Sequence, residues 1–227
     1  MSVALRLTED RLGAGTQLTL SASPRVLYAR DGAVTVEHGP VMLAAGVATI
    51  GDKLEHCAWH GGGAIVVAAR AAAVVLRFEL LAAGGAPPEL ALGKVESRRL
   101  LERPIELDPA RTWLMRCDRV DFAPGDVALP HGHRGGGIRY LLAGTLQVSV
   151  GDRPPRLMRP GDAWFESGRE PVLATSSADV PTAFVRVSIL PREIRGQSSI
   201  VYVDPADAAR GRPRRYTVYV DEPIDLP

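Results

Sequence analysis

Residues 125–144 read Gly125-Asp126-Val127-Ala128-Leu129-Pro130-His131-Gly132-His133-Arg134-Gly135-Gly136-Gly137-Ile138-Arg139-Tyr140-Leu141-Leu142-Ala143-Gly144. At the centre of this stretch His131 and His133 stand one residue apart. On a strand they point to the same face, because side chains alternate with period two. Imidazole is the commonest metal-ligating side chain, so two on one face make half of a coordination sphere. Gly125 lies six residues before His131 and Gly144 eleven after His133. Turn glycines placed in this way frame a short antiparallel pair.

The spacing resembles the first motif of the cupin superfamily: glycine, five residues, His-x-His, a short loop, a glutamate, six residues, glycine. The glutamate position falls on Gly137. Pro160-Gly161-Asp162-Ala163-Trp164-Phe165-Glu166 resembles the turn and strand of the second cupin motif. Pro171 or Val172 stands near the place of that motif's third histidine. The resemblance implies an all-β chain built on the double-stranded β-helix, or jelly-roll, barrel.

The rest of the sequence is consistent with that class. Short runs rich in Val, Leu, Ile and Thr alternate with Gly, Pro and Asp turns, the pattern of a β-sandwich or barrel. The halves read as diverged copies of one unit. Gly15–Ser23 aligns with Gly125–His133, Tyr28 with Tyr140, and Gly32 with Gly144. Gly51-Asp52 aligns with Gly161-Asp162, and Leu76-Arg77-Phe78 with Val185-Arg186-Val187. In this register Ser21 and Ser23 hold the places of His131 and His133, and serine hydroxyls are poor metal ligands. The expected organisation is a bicupin of two cupin-type jelly-roll barrels. A degenerate N-terminal barrel spans 1–83, and a linker with a short helical pattern spans 84–112. A C-terminal barrel spans 113–197, and a tail over 198–227 packs back on a barrel. The arginines of that tail, Arg210, Arg212, Arg214 and Arg215, read as a solvated loop.

The chemistry open to these residues centres on the second barrel. A mononuclear Fe, Mn, Ni or Zn site usually takes at least three protein ligands. His131 and His133 supply two, and Glu166 is the best third in sequence. Arg139 lies two residues from the lost glutamate position and shares its face. Its guanidinium either pairs with Glu166, because a buried cation needs a partner, or grips the carboxylate of a small acidic substrate. The family resemblance implies dioxygenase-like chemistry on a small acidic molecule, and some cupins, the thiol dioxygenases among them, are similar in lacking the glutamate while keeping three histidines. The alternative is a non-catalytic, small-molecule-binding or sensing bicupin. His56-Cys57-Ala58-Trp59-His60 lacks the second Cys/His cluster that a zinc site needs. The triple-glycine runs at 61–63 and 135–137 precede no Lys-Ser/Thr and no helix, so they read as flexible turns and not as phosphate loops.

Bulk properties bound the partners. The chain has 227 residues, 46% of them apolar, and a formal net charge of +1. No strong field selects nucleic acid or a membrane surface. Cys57 and Cys117 are far apart and form no CxxC pair, which favours a reducing, cytoplasmic setting. The N-terminal residues show no signal-peptide pattern. The expected partner is a small-molecule ligand; the cupin resemblance implies that the two barrels pair within the chain, and a homodimer is left open.

Overall fold

The computed structural model describes residues 2–38, 46–82, 89–210 and 214–227. Strand alternation sets the first element. In β1 (Ser2–Leu12), Val3, Leu5 and Leu7 are buried at every second position. There follow β2 (Thr16–Leu20), β3 (Arg25–Asp31), β4 (Ala33–His38), β5 (Gly46–Gly51) and β6 (Ala58–Gly61). The first set continues with β7 (Ile65–Ala69), β8 (Ala73–Ala82), β9 (Glu89–Leu92) and β10 (Val95–Glu106). The second set begins with β11 (Trp113–Phe122), β12 (Val127–His133), β13 (Gly137–Ala143), β14 (Leu146–Val150) and β15 (Arg156–Met158). It ends with β16 (Ala163–Glu166), β17 (Val172–Ser176), β18 (Thr182–Pro191), β19 (Ile200–Tyr202) and β20 (Arg215–Ile224). Two 3-10 turns, Arg192–Ile194 and Pro205–Arg210, complete the regular structure.

The chain divides into two units, Met1–Thr112 with Glu222–Pro227, and Trp113–Asp221. In the first, one five-stranded sheet runs β10-β1-β8-β3-β6 and the other β5-β4-β7-β2-β9. In the second, the orders are β16-β13-β18-β11-β20 and β15-β14-β17-β12-β19. Every strand of the first unit thus has its counterpart ten strands later. Leu20, Leu27, Val36 and Val75 lie in the apolar core of the first unit. Val120, Leu141, Trp164 and Phe184 lie in that of the second.

The ladders give the register between the copies. Leu27 faces Arg77 and Trp59. Arg139 faces Arg186 and Trp164. Tyr28 therefore answers Tyr140, as the sequence implies, and Gly32 and Gly144 share a positive φ of 69° and 71°. Two sequence alignments shift. Ala58-Trp59, not a segment counted from Gly51-Asp52, answers Ala163-Trp164. The place of His131, opposite Val172, is held in the first unit by Leu20, opposite Ile65, and not by Ser21. The reason is an irregularity between Ala128 and His131 that inserts one extra residue into β12.

Two further expectations change. The segment 89–103, read from sequence as a short helix within the linker, forms β9 and β10 instead. β10 pairs with β1 from Val95↔Leu12 to Ser2↔Glu106, and this long ladder overrides a weak local helical pattern. Pro104 is tolerated because β10 is an edge strand. The start of the linker, residues 84–88, lies outside the described residues. The glycines 135–137 are close-packing positions rather than flexible turns. A Cβ at Gly135 would lie 2.1 Å from the Ile189 carbonyl oxygen, and one at Gly137 would lie 2.5 Å from that of Val187. The lost glutamate position is thus closed by backbone. Gly137→Glu is expected to destabilise the fold by about 1–3 kcal/mol through overpacking. Thermal unfolding checks this, and an unchanged midpoint would count against it.

Candidate functional site

The second unit brings together all four residues singled out in the sequence. His131 and His133 end β12, both at least nine-tenths buried. Their rings meet edge to face at a centroid distance of 4.9 Å. Gly137 and Glu166 are direct cross-strand partners. A carboxylate thus stands directly across the ladder from Gly137.

Hydrogen bonding fixes the imidazole tautomers. His131 Nδ1 lies 2.6 Å from the Leu129 carbonyl oxygen, which can only accept. The proton is therefore on Nδ1, and Nε2 carries a free lone pair. His133 Nε2 lies 3.2 Å from Glu166 Oε2, so it donates to the carboxylate. Its bare Nδ1 is buried without a hydrogen-bond partner.

Glu166 is held from three sides. Trp164 Nε1 donates to Oε1 at 2.8 Å, and Arg139 Nη2 stands 2.7 Å from Oε2, beside His133. Arg139 donates its hydrogen bond through Nη1, to the Gly137 carbonyl at 2.6 Å. Of the two roles left open for Arg139, the ion pair with Glu166 is the one seen. Burial alone would raise the Glu166 carboxyl. The adjacent guanidinium and the His133 and Trp164 donors hold it well below the usual carboxylate range. Burial lowers Arg139 to about 10, so it stays charged at neutral pH.

Burial also lowers His131, and takes His133 down to about 3 against the pull of Glu166. A histidine neutral in the folded state but titrating near 6.5 when unfolded makes the fold acid-sensitive. Its contribution is intact above that pH and is lost as pH falls toward 3, with a slope of about 1.4 kcal/mol per unit. The Glu166 contribution has a lowered folded value, so it is present above the ordinary carboxylate range and lost further down. Urea unfolding is expected to show a loss of about 2 kcal/mol between pH 7 and 5 from His133 alone. His133→Gln should flatten much of that slope; an equal slope in the variant would contradict the assignment.

Sequence reasoning missed two further arginines. Arg186, on β18, forms a bidentate pair with Asp118 at 2.7 and 3.0 Å. Its guanidinium lies 6.0 Å from the centre of the Tyr216 ring. Its signal was legible, a charged residue inside a fully buried strand. Arg214 was grouped with solvated tail arginines, and Arg210 and Arg215 are indeed exposed. Arg212 lies outside the described residues. Arg214 itself is only 7% exposed. It donates to Tyr216 Oη and to the Val127 carbonyl, both at 3.1 Å, and sits 5.5 Å from the Phe122 ring centre. No carboxylate among the described residues forms an ion pair with it, and residues 211–213 include no Asp or Glu.

These groups border one cavity of about 30 Å³, lined elsewhere by apolar side chains such as Phe122, Trp164 and Phe184. It is a space of about two water molecules. Arg139, Arg186 and Arg214 bring three positive charges, and Glu166 and Asp118 two negative ones. With both histidines neutral, one positive charge is left uncompensated in a region of low dielectric.

This set does not fit a mononuclear metal. The His133 nitrogen nearest Glu166 is protonated, both Glu166 oxygens are occupied by donors, and the surplus charge opposes a dication. Among the described residues no group of three or more His, Cys, Asp or Glu is placed to hold a metal ion. His131, His133 and Glu166 thus lie together without forming the expected ligand triad.

Fold and site define an all-β chain of two cupin-type jelly-roll barrels, the second with a small charged interior. The chain matches no family model and no curated protein. Solved structures with the same fold include the 11S allergen from Cocos nucifera, at 11% identity and TM-score 0.64, covering 92% of this chain and 85% of that one. Oxalate decarboxylase from Bacillus subtilis matches at 13% identity and TM-score 0.62, covering 90% and 74%. Oxalate decarboxylase from Lactobacillus farciminis matches at 14% and 0.61, covering 90% and 81%. At these identities the likeness is one of fold. No helix among the described residues is long and apolar enough to cross a membrane.

Proposed function

We propose that this chain is a non-catalytic, small-molecule-binding bicupin whose C-terminal barrel takes a small acidic molecule. One observation carries the reading: Arg214 is a buried guanidinium without a carboxylate partner, facing the same cavity as Arg186. Burying an unpaired cation costs several kcal/mol, and a bound anion removes that penalty. The ligand's acid group sits on Arg186 and Arg214, while the Arg139–Glu166 pair braces the wall and orients His133. The N-terminal barrel is the degenerate copy. At the position of Gly137 it carries Arg25, bound to Glu79 at 3.1 Å, and Arg77 binds Asp10 and Glu79, each at 2.8 Å. Its interior charges satisfy one another.

Calorimetric titration with acetate tests the reading. The expected result is saturable binding that weakens roughly tenfold or more in Arg214→Met, the worth of one charged hydrogen bond, with an unchanged circular dichroism spectrum. Absence of binding of any small acid, or equal binding by the variant, would overturn it.

A second reading is a metal-dependent enzyme with dioxygenase-like chemistry on a small acid. Lone pairs on His131 Nε2 and His133 Nδ1 are its support, against the engaged Glu166 and the surplus positive charge described above. Elemental analysis of untagged protein purified without chelators separates the two. A stoichiometric transition metal lost in His131→Ala supports the second reading, and metal-free protein supports the first.

A further inference from the structure

We infer that the C-terminal cavity selects a carboxylate of one or two carbons that carries a single negative charge, and discriminates against dianions and bulkier acids. This rests on the acid-binding reading above and adds charge and size to it. Charge follows from the side chains around the cavity. Asp118 neutralises Arg186 through two hydrogen bonds, and Glu166 neutralises Arg139 at 2.7 Å. Arg214 alone remains, so one negative charge brings the enclosed set to neutrality. A second charge would be buried without a counter-ion, at a cost that the cavity's apolar walls cannot offset.

Size follows from the volume. The cavity of about 30 Å³ has room for about two waters, and a group of three or four non-hydrogen atoms displaces them. Phe122, Trp164 and Phe184 lie in the packed core of this unit, so enlarging the space means moving core side chains. The donors match a carboxylate. Arg186 uses Nε and Nη2 on Asp118, which leaves Nη1, and Arg214 uses Nε and Nη1, which leaves Nη2. Two N–H groups from two guanidiniums suit two carboxylate oxygens.

Thermal unfolding and calorimetry with formate, acetate, acetamide, benzoate and oxalate test the inference at a pH where each acid is fully ionised. Formate and acetate are expected to stabilise the protein, with acetamide, benzoate and oxalate each roughly tenfold weaker or worse. Asp118→Asn removes one internal negative charge and is expected to raise the affinity for oxalate relative to formate. If oxalate or benzoate binds as tightly as acetate, the inference falls while the acid site stands. If neutral acetamide binds as tightly as acetate, the acid-binding reading falls as well. If the oxalate-to-formate ratio is unchanged in a folded Asp118→Asn protein, the charge argument falls. If none of the acids binds, the acid-binding reading falls with it.

Discussion

Arg139→Met is expected to lose about 3–5 kcal/mol of stability at neutral pH, the cost of leaving a buried charge without its partner. Arg139 is 1% exposed and stands 2.7 Å from Glu166 Oε2. In its absence Glu166 keeps only the Trp164 and His133 donors, which do not supply a full positive charge. The loss should shrink as pH falls and the Glu166 carboxyl takes a proton. Glu166→Gln in the same background should recover most of it, because a neutral amide has no charge to compensate. Urea unfolding of the single and double variants makes the comparison. Equal stability of wild type and Arg139→Met would contradict the ion pair.

Arg77→Met should have an effect of the same size in the other barrel. Arg77 is 2% exposed and binds Asp10 through Nε and Nη2 at 2.8 and 3.2 Å. It also meets Glu79 at 2.8 Å and Glu89 at 2.6 Å. Burial works against its charge, yet these carboxylates hold the guanidinium above its ordinary value. Removing it leaves Asp10 and Glu79 buried together, with Arg25 on Glu79 at 3.1 Å and the Ser97 hydroxyl on Asp10 at 2.6 Å. The expected loss is about 3–5 kcal/mol, or a fall in unfolding temperature of about 10 °C. Pairing Arg77→Met with Asp10→Leu should restore part of it, because an apolar pair leaves one fewer buried charge. No recovery in the double variant would show that the cost lies in packing instead.

The sequence makes the fold legible because turn glycines survive in both copies. Gly15 and Gly125, like Gly32 and Gly144, keep a left-handed backbone that other residues rarely adopt. Tyr28 and Tyr140 then fix the register of the third strand in each copy. Serine and histidine do not align because one extra residue in β12 shifts everything after Ala128, and spacing alone does not reveal an insertion of one. The helix expected near residue 95 fails for another reason. β1 has an open edge, and only a long-range ladder shows what fills it.

The site was legible where its parts share a motif, and obscure where they do not. His131, His133 and Arg139 lie within nine residues, and Glu166 follows the glycine-aspartate turn. Their identity is visible in sequence; the hydrogen bonds that engage Glu166 and protonate His133 Nε2 are not. Arg214 lies more than eighty residues from His131 in a segment rich in arginine, so nothing local separates it from its exposed neighbours. Only its position beneath Tyr216, against Phe122, marks it as part of the interior.

The most direct test is a crystal structure of the protein grown in acetate, with anomalous data collected above the iron, manganese, nickel and zinc edges. The expected result is a carboxylate within hydrogen-bond distance of Arg186 and Arg214, with no anomalous peak beside His131 and His133. A transition metal on those two histidines, or Arg214 turned out into solvent, would contradict a barrel interior built to hold an anion.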